Sequence, residues 1–417
     1  MGPHGRPLGQ GRQGLLSRRL AVHARPMHVM ATAALGTEEL VERECRALDL
    51  DVLGRDRAGV HLDLGPRGIA RALVHLRVAT RLLLRLGEFP ASTGEALYAG
   101  AKELPWTEWM DPQATFAVFA SGDLVPDQND RRGLNHHVFV AQKVKDALCD
   151  RLRARYGRRP NVDVQDPDIR IAVRGHRARW TVWLDLSGPP LHERGVRTRQ
   201  LTAPLKETLA AAVAMLTEWN PANPLRDPFC GAGTLVVESL NLALGLAPGC
   251  TRWFGVERWP FHGPELQKEL DIVRAEAVEK ARIVLGNQRQ LDTSKLDIEA
   301  SDIDPRAVDV TRENLRNAGL DRVVRVVQRD ARKLSPQPAG TQIVTNPPYG
   351  ERLGDEHILK LYADMGQDWR QIPDLKAAIL MGNTEFVPTF GWPVLSAHEL
   401  RNGPLEVGLF QFHNPAA

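Results

Sequence analysis

Cysteine is scarce, with four in 417 residues, at positions 45, 149, 230 and 250. No two form a C-x-x-C pair. The scatter excludes a disulfide framework and a structural zinc site, and fits reduced thiols in a cytoplasmic chain. Long apolar runs are missing too: none approaches the ~20 residues that a membrane span needs. Net charge is small, +3 from 54 basic and 51 acidic residues, which excludes a uniformly basic or acidic protein. The spread is uneven, however. Residues 131–200 hold 16 Lys and Arg against 7 Asp and Glu, and residues 1–30 add five arginines and no acid. A charge excess across seventy residues of patterned sequence points to a polyanion-binding module joined to a more acidic partner.

Residues 1–26 are rich in Gly, Pro and Arg without periodicity. They read as a disordered basic tail or as a start assigned upstream of Met27 or Met30. Residues 27–92 follow as strand, helix, strand, strand, helix, strand, the order of a ferredoxin-like unit. A second α/β unit is expected over 93–190: a helix near 94–110, a strand at 115–121, a long basic helix near 134–155, and strands near 161–164, 169–174 and 178–186. A basic linker spans 191–203. From Pro204, a suitable first helical residue, strands and helices alternate to residue 417. That alternation implies a doubly wound, mostly parallel sheet, closed by a hairpin near Asn402-Gly403.

The third unit opens with DPFCGAGT, residues 227–234. Glycines between a strand and a helix let backbone approach a ligand at the strand's carboxyl end. A dinucleotide fingerprint would need a third small residue and an acid about twenty residues on, and both are missing. The order of strand ends is more informative. Asp227, Asp302, Asp330 and Asn346 each close a successive strand, so four polar groups line one crevice. Asp304, before Pro305, reads as a helix cap. The last strand end, TNPPYGERLG at 345–354, stops abruptly because neither Pro347 nor Pro348 can donate to a ladder. A rigid turn then presents the Asn346 side-chain carbonyl, the Pro347 backbone carbonyl and the ring of Tyr349.

The set of strand ends resembles the Rossmann-like S-adenosylmethionine methyltransferase fold. Asn-Pro-Pro-Tyr resembles the motif of enzymes that methylate a planar exocyclic nitrogen. LDLSGPPLHERGVR (184–197), APLKETLAAA (203–212), DPFCGAGT and TNPPYGERLG occur in order. With the basic unit before them, they resemble the bacterial large-subunit ribosomal RNA guanine-N2 methyltransferases that carry a THUMP domain. The resemblance covers nearly all of 27–411. It implies an α/β architecture with ferredoxin-like (27–92), THUMP (93–190) and Rossmann-like catalytic (204–417) domains.

The same resemblance implies S-adenosyl-L-methionine as cofactor. Gly231 and Gly233 would flank its methionine part, Asp227 would help hold the amino group, Asp302 would accept both ribose hydroxyls and Asp330 would meet the adenine amino group; Phe229, Cys230, Thr234, Ile303 and Ala331 are further expected cofactor contacts. Asn346, Pro347, Pro348 and Tyr349 would be the catalytic group. It implies no metal and no membrane, and an RNA partner: ribosomal RNA first, transfer RNA as the alternative. An adenine-N6 DNA methylase and a non-catalytic RNA-binding or assembly factor are the competing readings. The intact motifs argue against a dead site. Lys143, Lys145, Arg158, Arg159, Arg194 and Arg197 are the expected RNA contacts. Few aromatics accompany them, so recognition by shape and backbone is expected. Arg352 could meet phosphate or pair with an acid. The sequence leaves oligomeric state and the role of 246–297 open.

Overall fold

The structure, a computed structural model, describes residues 26–123, 134, 136–195, 205–260, 263–286, 296–349 and 355–414. The amino-terminal half begins β1 (Met27–Thr32), α1 (Glu38–Ala47), β2 (Val52–Asp56), β3 (Gly59–Leu64), α2 (Pro66–His75) and β4 (Arg81–Pro90). This is the expected ferredoxin-like order. Then come α3 (Gly94–Glu103), α4 (Trp106–Trp109), β5 (Phe116–Asp123), α5 (His137–Tyr156), β6 (Ile169–His176) and β7 (Arg179–Asp185).

Three expectations change here. The helix expected at 94–110 is split, because Leu104 is extended before Pro105. The strand expected at 161–164 is reduced to a single bridge between Val162 and Phe116. The two units, drawn as separate modules, share one seven-stranded sheet of order β2-β3-β1-β4-β7-β6-β5. Strand β4 makes the join, pairing with β1 on one side and β7 on the other. Alternation explains it: Leu82, Leu84 and Leu86 point into the helix-covered core while Arg81, Leu83 and Arg85 occupy the other face.

The carboxyl-terminal half comprises α6 (Glu207–Thr217), β8 (Leu225–Asp227), α7 (Thr234–Ala243), α8 (Pro264–Gly286), β9 (Ile298–Asp302), α9 (Pro305–Asn317), β10 (Val324–Gln328), β11 (Gln342–Thr345), α10 (Asp355–Trp369), β12 (Leu375–Met381), α11 (Phe386–Phe390), β13 (Val394–Asn402) and β14 (Leu405–Asn414). Helix α6 starts later than expected, with Lys206 at its cap; Pro204 lies outside the described residues. The sheet order is β10-β9-β8-β11-β12-β14-β13. The strands from β10 to β12 are parallel, and β14 and β13 close the edge as an antiparallel hairpin. Since β8 lies between β9 and β11, the chain direction of crossing reverses there. Such a switch point opens a crevice at the carboxyl ends of the strands.

The segment after α7 ties the halves together. Phe254, Val256, Trp259, Leu266, Leu270 and Val273 join the amino-terminal core cluster. Gly249 lies so close to α2 that a Cβ there would stand 2.7 Å from the Leu73 carbonyl oxygen. Arg252 donates to the carbonyls of Ser187, Pro189 and Pro190. The described part of the 246–297 stretch therefore acts as a clasp between the halves through these residues. Among the described residues no helix is long and apolar enough to cross a membrane.

Candidate active site

The crevice is built from β8 outward. Asp227 ends β8 and is 1% exposed. Its Oδ1 accepts from the Thr345 hydroxyl at 2.7 Å and from the Phe229 N–H at 3.3 Å. Its Oδ2 is buried with no donor among the described residues. Burial pushes the carboxyl up to about 7.

The glycine turn follows. Gly231 and Gly233 both take positive φ, 53° and 78°, a conformation that disfavours a Cβ. Gly233 also packs on α9, where an added Cβ would lie 3.0 Å from Thr311 Cγ2. The turn is braced from behind. Thr311 donates its hydroxyl to Gly231 O, Asn314 its amide to Ala232 O, and the Cys230 N–H reaches Ser301 O, each at 2.9 Å. Cys230 is 5% exposed and burial holds its thiol far above the ordinary range, so it serves as packing. Phe229 is partly buried, and Thr234 opens α7 with part of its surface exposed.

Asp302 ends β9. Its two oxygens accept from the N–H groups of Gly231 (3.1 Å) and Asp304 (3.0 Å), and burial raises its pKa. Each oxygen keeps a lone pair for a further donor. Ile303 beside it is a large apolar side chain left 57% exposed. Asp304 caps α9, accepting from Arg306 N–H, as its place before Pro305 predicted. Asp330 lies two residues beyond β10 rather than at its end. Its carboxylate is engaged by Arg332, at 2.6 Å to the guanidinium and 3.0 Å to the backbone N–H, which holds its pKa low. Ala331 is buried and its carbonyl accepts from the Trp369 indole at 2.9 Å.

Asn346 follows β11 directly, and its Oδ1 is another buried acceptor with no donor among the described residues. Pro347 is buried, and the Pro348 carbonyl accepts from the Tyr362 hydroxyl at 3.0 Å. Tyr349 is half-buried. Its hydroxyl accepts from the Asn402 amide at 3.0 Å, and its ring lies against Gly382, where a Cβ would be 2.8 Å from Cδ2. Thr345, Thr311, Asn314, Tyr362 and Asn402 were not foreseen. Each acts across a long sequence separation, which leaves no local signal.

The expected RNA contacts are divided. Arg158 and Arg159 are exposed. Lys143 lies over the Phe139 ring, and Lys145 pairs with Asp146. Arg194 is a correction. It is 4% exposed, bonds Glu238 at 2.8 Å and donates to the Arg77 carbonyl at 2.6 Å, so its charge is spent inside the protein. Arg197 and Arg352 lie outside the described residues. Among those residues no cluster of three His, Cys, Asp or Glu could hold a metal.

The chain is similar to known proteins along most of its length. A family model described as the RMKL-like methyltransferase domain matches residues 194–407. A THUMP domain model matches 91–185, and an RlmL ferredoxin-like domain model matches 28–83. Two curated relatives bear the name ribosomal RNA large subunit methyltransferase K/L. That of Syntrophotalea carbinolica is 36% identical over 399 residues, 93% of this chain and 53% of its own length. That of Methylococcus capsulatus is 38% identical over 389 residues, 92% and 50% respectively. The chain thus spans about half the length of the curated relatives it matches. Among solved structures, SMU.472, a candidate methyltransferase in complex with SAH, aligns with a TM-score of 0.81 at 31% identity, covering 94% of this chain and 99% of that one.

Proposed function

The chain belongs to the RMKL-like methyltransferase family, and from that premise we propose that it transfers a methyl group from S-adenosyl-L-methionine to the exocyclic N2 amine of a guanosine in large-subunit ribosomal RNA. The observation that carries this reading is the pair of orphaned buried acceptors, Asp227 Oδ2 and Asn346 Oδ1, on neighbouring strand ends of one crevice. A buried acceptor left unmet costs about 1–3 kcal/mol, so each asks for a donor beyond the described residues, and a bound ligand supplies one.

An amino-acid ammonium suits Asp227, a carboxylate with one free oxygen. Asp302 beside the glycine turn suits a ribose diol, and exposed Ile303 suits the flat apolar face of a base. These residues fit the cofactor, which when bound supplies a methyl on a positively charged sulfur, already a good leaving group. Asp330 is committed to Arg332, so an adenine contact there would have to share the carboxylate.

The amine of guanine is a poor nucleophile because its lone pair is delocalised into the ring. Asn346 Oδ1 and the Pro347 carbonyl would accept its two N–H groups, favour pyramidal nitrogen, and stabilise the positive charge that develops there. Tyr349, fixed by Asn402 and Gly382, would set the plane of the base, and the fixed turn supplies orientation. A base in a helix would have to be flipped out to reach it.

Asn346→Ala tests the acceptor pair. Cofactor affinity by calorimetry should stay within about twofold. Single-turnover methylation should fall by about 10²–10³, the typical effect of one oriented dipole. Near-normal turnover would remove the basis of the mechanism.

A further inference from the structure

The amino-terminal sheet carries helices on one face. The apolar cluster on the other face, Met30, Leu83 and Trp183 with Ala58 and Ala172, contains no helical residue. Register places Trp183 beside Ala172, and Arg174 beside Thr181, on this face. Polar side chains coat it. His28 and His61 lie against the Trp183 ring, and Arg174 reaches the Met30 sulfur at 3.9 Å. The guanidinium of Arg170 stacks on Phe119 at 3.6 Å.

Charge on the face is distributed unevenly. Its acids among the described side chains are Asp63, Asp185 and Glu88, with Asp56 at its margin. Asp185 bonds Arg81; Glu88 takes Arg85 and Arg179; Asp56 takes His61. Arg170 and Arg174 have no ion pair among the described residues, although each is partly buried and burial lowers the pKa of both. Beyond burial, Arg170 feels the neighbouring Arg81 cation and then Asp185, and Arg174 feels Asp56, neither acid forming an ion pair with these arginines. The indole N–H of Trp183, a residue only 4% exposed, also lacks a hydrogen-bond partner among the described residues. Two partly buried cations with no ion pair among the described residues, on a sheet face that no described helix covers, call for an external polyanion.

We infer that this open sheet face is the surface on which the RNA backbone docks, with Arg170 and Arg174 as phosphate contacts. The inference rests on the RNA reading above and moves the principal contact from the helix α5 cations to the sheet. On that helix, Lys145 and Arg153 already have acids within 4 Å. Arg170 and Arg174 are four residues apart on β6, roughly 13 Å along the strand, so they would meet separate phosphates. The planar guanidinium on Phe119 also offers an edge to a looped-out base.

The test is the salt dependence of binding of the full chain to large-subunit ribosomal RNA transcribed in vitro. Arg170→Gln/Arg174→Gln should lower the slope of log K against log salt by about 1.4–1.8, two contacts' worth. Arg170→Lys/Arg174→Lys should keep the slope. Cofactor affinity, measured in parallel, should be unchanged in both and shows that the fold is intact. If the Gln pair binds RNA with wild-type affinity and slope while wild type methylates it, the surface assignment is wrong and the methyltransferase reading stands. In that case a protein partner is the remaining occupant for the face. If wild type neither binds nor methylates the RNA, both fall.

Discussion

At the scale of residues, Asp227 carries the strongest consequence. Burial raises its pKa to about 7, against ~3.9 for a free aspartate. The folded form therefore holds this proton more tightly than the unfolded chain. Its contribution to stability is fully present below about pH 4 and is lost as pH rises to about 7. An ammonium ligand reverses the preference, since it needs the carboxylate ionised. Cofactor affinity should fall as pH drops from 8 to 6, and Asp227→Asn should weaken binding and flatten that dependence while raising the melting temperature of the cofactor-free protein at pH 8. Calorimetry across that range, with melts alongside, reads both; a wild-type affinity that does not change with pH would sink the assignment. The positions of Asp227, Asp302 and Asn346 were legible because each ends or directly follows a short strand and precedes a turn. That Asp330 is occupied was not, although Arg332 is only two residues away, because a neighbouring Arg is as often solvated as paired.

At the scale of elements, the glycine turn, the proline stop after β11 and the βα alternation were readable, since all are local in sequence. The junctions were not. Arg194 sits in a basic run, and nothing nearby announces that Glu238 on α7 lies 2.8 Å from it in a buried pair. Through it, α7 is fastened to the turn after α2 at the Arg77 carbonyl. Removing one partner of such a pair leaves the other charge buried, at a typical cost of about 3–5 kcal/mol. Arg194→Met should therefore lower stability to chemical denaturation by that order and leave the salt slope of RNA binding untouched. A stable variant with a reduced slope would restore Arg194 to the RNA surface.

At the scale of the whole molecule, charge partition suggested two separable halves, but the packing joins them. The clasp after α7 and residues Ala211, Ala212 and Met215 of α6 belong to the same apolar cluster as the amino-terminal strands and helices. A fragment of residues 205–414 would expose that surface, so it should aggregate or melt well below the full chain, which should unfold in one transition by calorimetry. A soluble, cooperatively folded fragment would show that the clasp is dispensable. The central claim concerns chemistry, and mass spectrometry of nucleosides tests it most directly. Large-subunit ribosomal RNA incubated with the intact chain and S-adenosyl-L-methionine, then digested, should contain N2-methylguanosine above the untreated level, and the Asn346→Ala variant should not produce it. N6-methyladenosine as the product, or RNA left unmodified by a chain that binds the cofactor, would contradict the account.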